Sequence, residues 1–86
     1  MKTIWKYTIA IADNPALKLA ESAHVLHVAA SPEWSSLDIW VEVDPEADVV
    51  TRGFRVVGTG HPLTSVGRYI GTVQERGFVW HVYEEA

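Results

Sequence analysis

The segment LDIWVEVD (37–44) alternates without a break, setting Leu37, Ile39, Val41 and Val43 against Asp38, Trp40, Glu42 and Asp44. Side chains two apart share one face of a strand, whereas on a helix they scatter around the axis. A half-buried β-strand is the element this pattern demands. The same period recurs along the chain. TIWKYTIAI (3–11) sets Trp5, Tyr7, Ile9 and Ile11 against Ile4, Lys6, Thr8 and Ala10. ALKLAES (16–22), with Leu17 and Leu19 about Lys18, reads as a short strand in preference to a helical turn. HVLHVAAS (24–31) places Leu26, Val28 and Ala30 inward. VVTRGFRVVG (49–58) resumes the pattern, with Gly53 a candidate bulge. RYIGTVQ (68–74) and FVWHVYE (78–84) flank Glu75-Arg76-Gly77, a hairpin connection whose glycine suits positive φ.

Turn residues punctuate these runs at Asp13-Asn14-Pro15, around Pro32, and at Pro45-Glu46-Ala47-Asp48, and residues 59–67 form a Gly-, Thr- and Pro-rich loop. About seven short strands at such spacings predict one antiparallel all-β domain over 1–86, a small sandwich or barrel. The alternation assigns Trp5, Leu26, Val28, Ile39, Val41, Phe54, Val56, Trp80 and Val82 to the core. A chain of 86 residues builds a small core, so large aromatics and association of copies are its ordinary sources of extra stability. A homo-oligomer is therefore expected.

With no cysteine, disulfides and thiolate sites are excluded. The N-terminal stretch lacks the apolar core of a signal peptide, and no run approaches the roughly eighteen apolar residues of a membrane helix. A cytosolic protein with no membrane partner is the expectation. The net charge is −4 and the seven basic residues are dispersed, which disfavours nucleic acid as a partner.

FRVVGTGHPL (54–63) carries the strongest local signal for a ligand. Glycines 58 and 60 about Thr59 can turn successive amides toward one point, a nest for phosphate or carboxylate, with His61, Arg55 and Arg68 adding charge. The competing reading is a tight turn that needs glycine for its backbone alone. No helix follows, as the specific phosphate fingerprints require. Trp40 sits in the polar register of its strand, and the same logic places His27, Arg55, His81 and Tyr83 outward. Aromatics beside an arginine on a sheet face suit a binding surface; a covering sheet or subunit explains Trp40 equally well. The four histidines show no HxH or HExxH spacing, and neither a metal nor any other cofactor is expected. No GxSxG elbow accompanies the serines, so no catalytic residue is assigned.

KTIWKY, VLHVAA, LDIWVEVDP, FRVVGTGHPL, YIGTVQ and WHVYE occur in this order between Lys2 and Glu84. The set resembles a family of small proteins encoded by bacteriophages of actinobacteria and other bacteria. That resemblance implies a stand-alone β protein acting in the cytoplasm of an infected bacterium. Its members often close on phenylalanine where this chain has Tyr83, and it carries over no catalytic residue. By analogy with small phage proteins, the expected role is a non-catalytic accessory module. It would engage a host factor or sequester an anionic, nucleotide-like ligand to blunt host defence. A self-assembling structural component is the alternative, and a small hydrolase the third.

Overall fold

The period-two segments form seven strands: β1 (Thr3–Ala10), β2 (Ala16–Ala20), β3 (His24–Ala30), β4 (Ser36–Val43), β5 (Val49–Gly58), β6 (Arg68–Glu75) and β7 (Phe78–Glu84). The computed structural model describes residues 1–64 and 67–85; residues 65 and 66 of the expected 59–67 loop, and residue 86, lie outside them. All pairings are antiparallel. They build a three-stranded sheet in the order β1-β4-β3 and a four-stranded sheet in the order β2-β5-β7-β6. The fold is the expected all-β, sandwich-like domain.

The inner faces meet over Leu37, Ile39 and Val41 of β4, Phe54 and Val56 of β5, and Val82 of β7, with Ile9, Leu19, Val25, Val28 and Val73 around them. The inward register of 37–44 holds at all four apolar positions. At one corner β6 runs beside β3. Gly71 permits this approach, since a Cβ there would stand 2.8 Å from Cγ1 of Val28.

Three expected core residues depart from expectation. Leu26 is 44% exposed. The β3–β4 register passes from Val25↔Val41 to His27↔Trp40, so Leu26 is the extra residue of a bulge and Val25 takes the buried position. Ala30, also read as inward, is exposed at the strand's end. Trp5 is 47% exposed although it pairs with the fully buried Val41. Because β1 is an edge strand, Trp5 reaches past the cover that the opposite sheet provides. Trp80 is only half-buried, and its indole N–H has no hydrogen-bond partner among the described residues. Nor is Gly53 a bulge: it pairs regularly with Ala16, and the second bulge lies at Ile70, between Tyr69 and Gly71.

Polar contacts close the two ends of the sandwich. Arg52 and Glu84 both point inward and form an ion pair, with Arg52 Nε donating to Glu84 Oε2 at 2.5 Å. Arg52 Nη1 also donates to the carbonyls of Ala20 (2.7 Å) and Ala23 (2.6 Å), pinning the end of β2. At the other end Arg76 and Gly77 take φ of 48° and 83°, as a two-residue type I′ hairpin requires. The Arg76 guanidinium lies 3.2 Å from the centre of the Trp34 ring and donates to Ser35 Oγ at 3.0 Å. This joins the β6–β7 hairpin to the β3–β4 loop.

Candidate functional site

Residues directly opposite across an antiparallel pair share a face. On the four-stranded sheet, Arg55↔Tyr83↔Tyr69 forms one outward row and Val57↔His81↔Thr72 the next. Tyr69 and Thr72 are three apart, and a regular strand would set them on opposite faces. The Ile70 bulge brings them together. Tyr69 packs edge-on against Tyr83 with ring centres 5.5 Å apart.

A hydrogen-bonded chain crosses this face. Thr59 Oγ1 lies 2.8 Å from His81 Nε2, Thr72 Oγ1 lies 3.1 Å from His81 Nδ1, and Tyr69 Oη lies 2.5 Å from Thr72 Oγ1. Both imidazole nitrogens are thus met by hydroxyls, which donate or accept as needed. Either neutral tautomer is satisfied, and an imidazolium would donate to both. A histidine base in a nucleophilic triad takes its orientation from a third group, commonly a carboxylate. Here the described hydrogen bonds of His81 end on threonines.

FRVVGTGHPL forms the wall of this face. His61 N–H donates to the Gly58 carbonyl at 3.0 Å with Gly60 at φ 89°, a tight turn of the kind that calls for glycine at its third position. Thr59 N–H donates to the Val79 carbonyl at 3.2 Å. Two amides that the nest would aim at an anion are therefore spent inside the fold, and the backbone follows the turn reading. The side chains keep their place. Arg55 Nη1 donates to Asn14 Oδ1 at 3.0 Å and Nη2 bonds Thr64 Oγ1, standing in a depression of about 320 Å³ bordered by Asp13, Asn14, His61 and Pro62. A second depression of about 280 Å³ lies between Thr59, Gly60, His61, Leu63, His81 and Tyr83. His61 borders both.

Arg68 does not join this group. Its Nη2 donates to the Val25 carbonyl at 3.2 Å and lies 3.2 Å from His24 Nε2, at the β3–β6 corner. The four binding-surface candidates also divide. His81 and Tyr83 belong to the face just described, while His27 and Trp40 share the outer face of the three-stranded sheet, ring centres 5.7 Å apart. Around Trp40, Lys6 lies 3.9 Å from Asp38 and Thr8 Oγ1 donates to Asp38 Oδ1 at 2.8 Å. Among the described residues Trp40 is flanked on its own sheet by His27 and Lys6 and is half-buried. No group of three or more His, Asp or Glu residues spaced to hold a metal occurs among the described residues. The alternation alone did not single out Asn14, Thr64, Tyr69 or Thr72. The bulge and the loop crossings that bring them in leave no periodic trace.

Gly58 is where the site is most sensitive to bulk. A Cβ there would meet the His61 ring at 3.0 Å and Trp80 at 3.3 Å. Gly58→Ala is expected to push His61 off the strand end at a stability cost of about 1–2 kcal/mol. A changed His61 imidazole NMR shift with the remaining amide spectrum preserved would verify the displacement.

Two antiparallel sheets with no helix among the described residues define the class of small all-β, sandwich-like domains. Over residues 1–86 the chain matches the family model described as a domain of unknown function (DUF7352), and it belongs to that family. No curated protein and no solved structure matches it.

Proposed function

We propose that the protein is a non-catalytic binding module that takes a small planar anion of nucleotide type on the outer face of β5-β7-β6. The observation that carries this reading is the convergence of Arg55, His61, His81 and Tyr83 around two adjoining depressions, with Thr72 bonded to His81 and Tyr69 packed on Tyr83 beside them. Arg55 supplies a planar cationic fork for phosphate oxygens. Tyr69, 53% exposed, offers a ring face for stacking, and the hydroxyl–imidazole chain offers donors and acceptors for a base or sugar edge. Asn14 and Thr64 already hold the guanidinium in place, so little side-chain entropy remains to be lost on binding. On the motif resemblance, we place this module among phage accessory factors working inside the infected bacterium, where it sequesters such a ligand or occupies a host protein.

A thermal-shift screen against nucleotides and phosphorylated metabolites tests the reading. A ligand at a hundred times its Kd stabilises by about 2.7 kcal/mol, which raises Tm by roughly 10–20 °C in a domain of this size. Arg55→Ala and His81→Ala are each expected to leave the fold intact and weaken that ligand at least about tenfold, as loss of a charged or buried hydrogen bond does. A screen without any shift, or a shift that both variants retain, removes the reading.

A further inference from the structure

The outer edge of β1 lacks two of the usual guards of a free sheet edge. It contains no proline and no bulge, and its register with β4 is unbroken over eight residues. Its two charged neighbours lean back over their own sheet, Lys2 toward Glu42 at 3.3 Å and Lys6 toward Asp38 at 3.9 Å. The core row also stops short there. Val41 is fully buried, its partner Trp5 is 47% exposed, and Ile4 on the other face is 56% exposed. Of the other edge strands, β3 and β6 run beside each other at one corner, and β2 is a five-residue strand whose Leu19 and Ala20 are already covered.

The backbone then limits how a second strand can pair. Ile11 N–H donates to the Ser35 carbonyl at 2.9 Å, continuing the ladder beyond Ile9↔Leu37. Hydrogen-bonded and non-hydrogen-bonded pairs alternate along an antiparallel ladder. Ile9, Tyr7, Trp5 and Thr3 therefore direct their N–H and C=O groups toward β4, while Ile4, Lys6 and Thr8 direct theirs outward. A second copy of β1 related by a twofold axis must match outward residues with outward residues, so the axis passes through one residue of β1. An axis at Ile4 sets Lys2 against the other copy's Lys6, and an axis at Lys6 sets the two Lys6 residues against each other; like charges directly opposed are unfavourable. An axis at Tyr7 lays Trp5 on Ile9, which is 2% exposed and has no surface to offer. An axis at Trp5 opposes no like charges, places Trp5 on Trp5 as a close non-hydrogen-bonded pair, and lays each Lys6 stem beside Ile4.

We propose that this protein self-associates through β1, by antiparallel β-augmentation centred on Trp5, into a dimer with one continuous six-stranded sheet. The Trp5 pair completes the core row that each copy leaves open.

The chain has no cysteine, so single introduced thiols report the register directly. In the Trp5-centred dimer the two residues at position 5 have Cα atoms about 4.5 Å apart, within disulfide reach, whereas the two at position 7 are displaced by four residues, roughly 14 Å. Trp5→Cys is expected to form a covalent dimer under mild oxidation in high yield, and Tyr7→Cys at most a few per cent of one. The unaltered chain is expected to sediment as a dimer at tens of micromolar. Ile4→Pro removes an outward N–H while leaving the β1–β4 ladder intact, and is expected to sediment as a folded monomer with a β-type circular dichroism spectrum. A monomeric unaltered chain, equal cross-linking at positions 5 and 7, or a dimer indifferent to Ile4→Pro would overturn the proposal. If Ile4→Pro does not fold, the cysteine pair still decides the register.

Discussion

Arg52→Ala is expected to remove about 3–5 kcal/mol of stability, enough to consume most of what a small domain has. The Arg52 and Glu84 side chains are only 15% and 10% exposed. Truncating the arginine leaves a buried carboxylate without its cation and two carbonyls, of Ala20 and Ala23, without their donor. Neither loss is made good by water unless the end of the sandwich opens. Glu84→Gln should be milder, since an amide oxygen still accepts from the guanidinium. Arg52→Lys should fall between, because one ammonium cannot present the planar fork that serves Glu84 and both carbonyls. Urea unfolding followed by tryptophan fluorescence measures all three. A loss below about 1 kcal/mol for Arg52→Ala would mean that the pair sits in solvent rather than in the core.

Gly67→Ala is the second large effect. Gly67 packs against the β7 backbone, where an added Cβ would collide with the Glu84 carbonyl oxygen, 2.8 Å from its carbon and 2.9 Å from Glu85 Cα. Backbone on the opposing side cannot rotate away as a side chain does, so the expected cost lies near the upper end of overpacking, about 3 kcal/mol. Tm should fall by roughly 10 °C or more. Gly60→Ala is the matched control. Its Cβ would meet nothing within 4 Å, and only the φ of 89° opposes it, at about 1–2 kcal/mol. Because Gly67 presses on the residue that pairs with Arg52, the Gly67 and Arg52 substitutions should combine with less than additive loss. A melt that ranks Gly60→Ala below Gly67→Ala would contradict the packing described for β6.

The strands were readable because alternation is local: each of the seven runs carries its own period, and Leu37 to Val43 declare their buried face unaided. What escaped that reading depends on partners remote in sequence. Leu26 lies outward because β4 sets the β3 register on either side of a bulge, and nothing in HVLHVAA marks the skipped residue. Trp5 obeys its register yet stays half open because β1 has a neighbour on one side only. Arg52 occupies an inward position that alternation would give to an apolar residue, and its partner Glu84 lies 32 residues away. For the candidate site, the outward placement of Arg55, His81 and Tyr83 followed from alternation. The separation of His27 and Trp40 onto the other sheet did not, since period two assigns a face within a strand and says nothing of which sheet the strand joins.

Strand order has a further consequence, for the nascent chain. Among the described residues only β3–β4 and β6–β7 pair as neighbours in sequence; β1 waits for β4, β2 for β5, and β5 for β7. Pairings that close long loops form slowly, and unpaired strands are open to wrong partners while they wait. During synthesis β1 stays single until residue 43 has been made, and β5 has only β2 beside it until β7 is complete. The four-stranded sheet acquires its native pairings only once β7 has been made, so the yield should respond to translation speed and chaperone supply more than that of a helical domain of equal length.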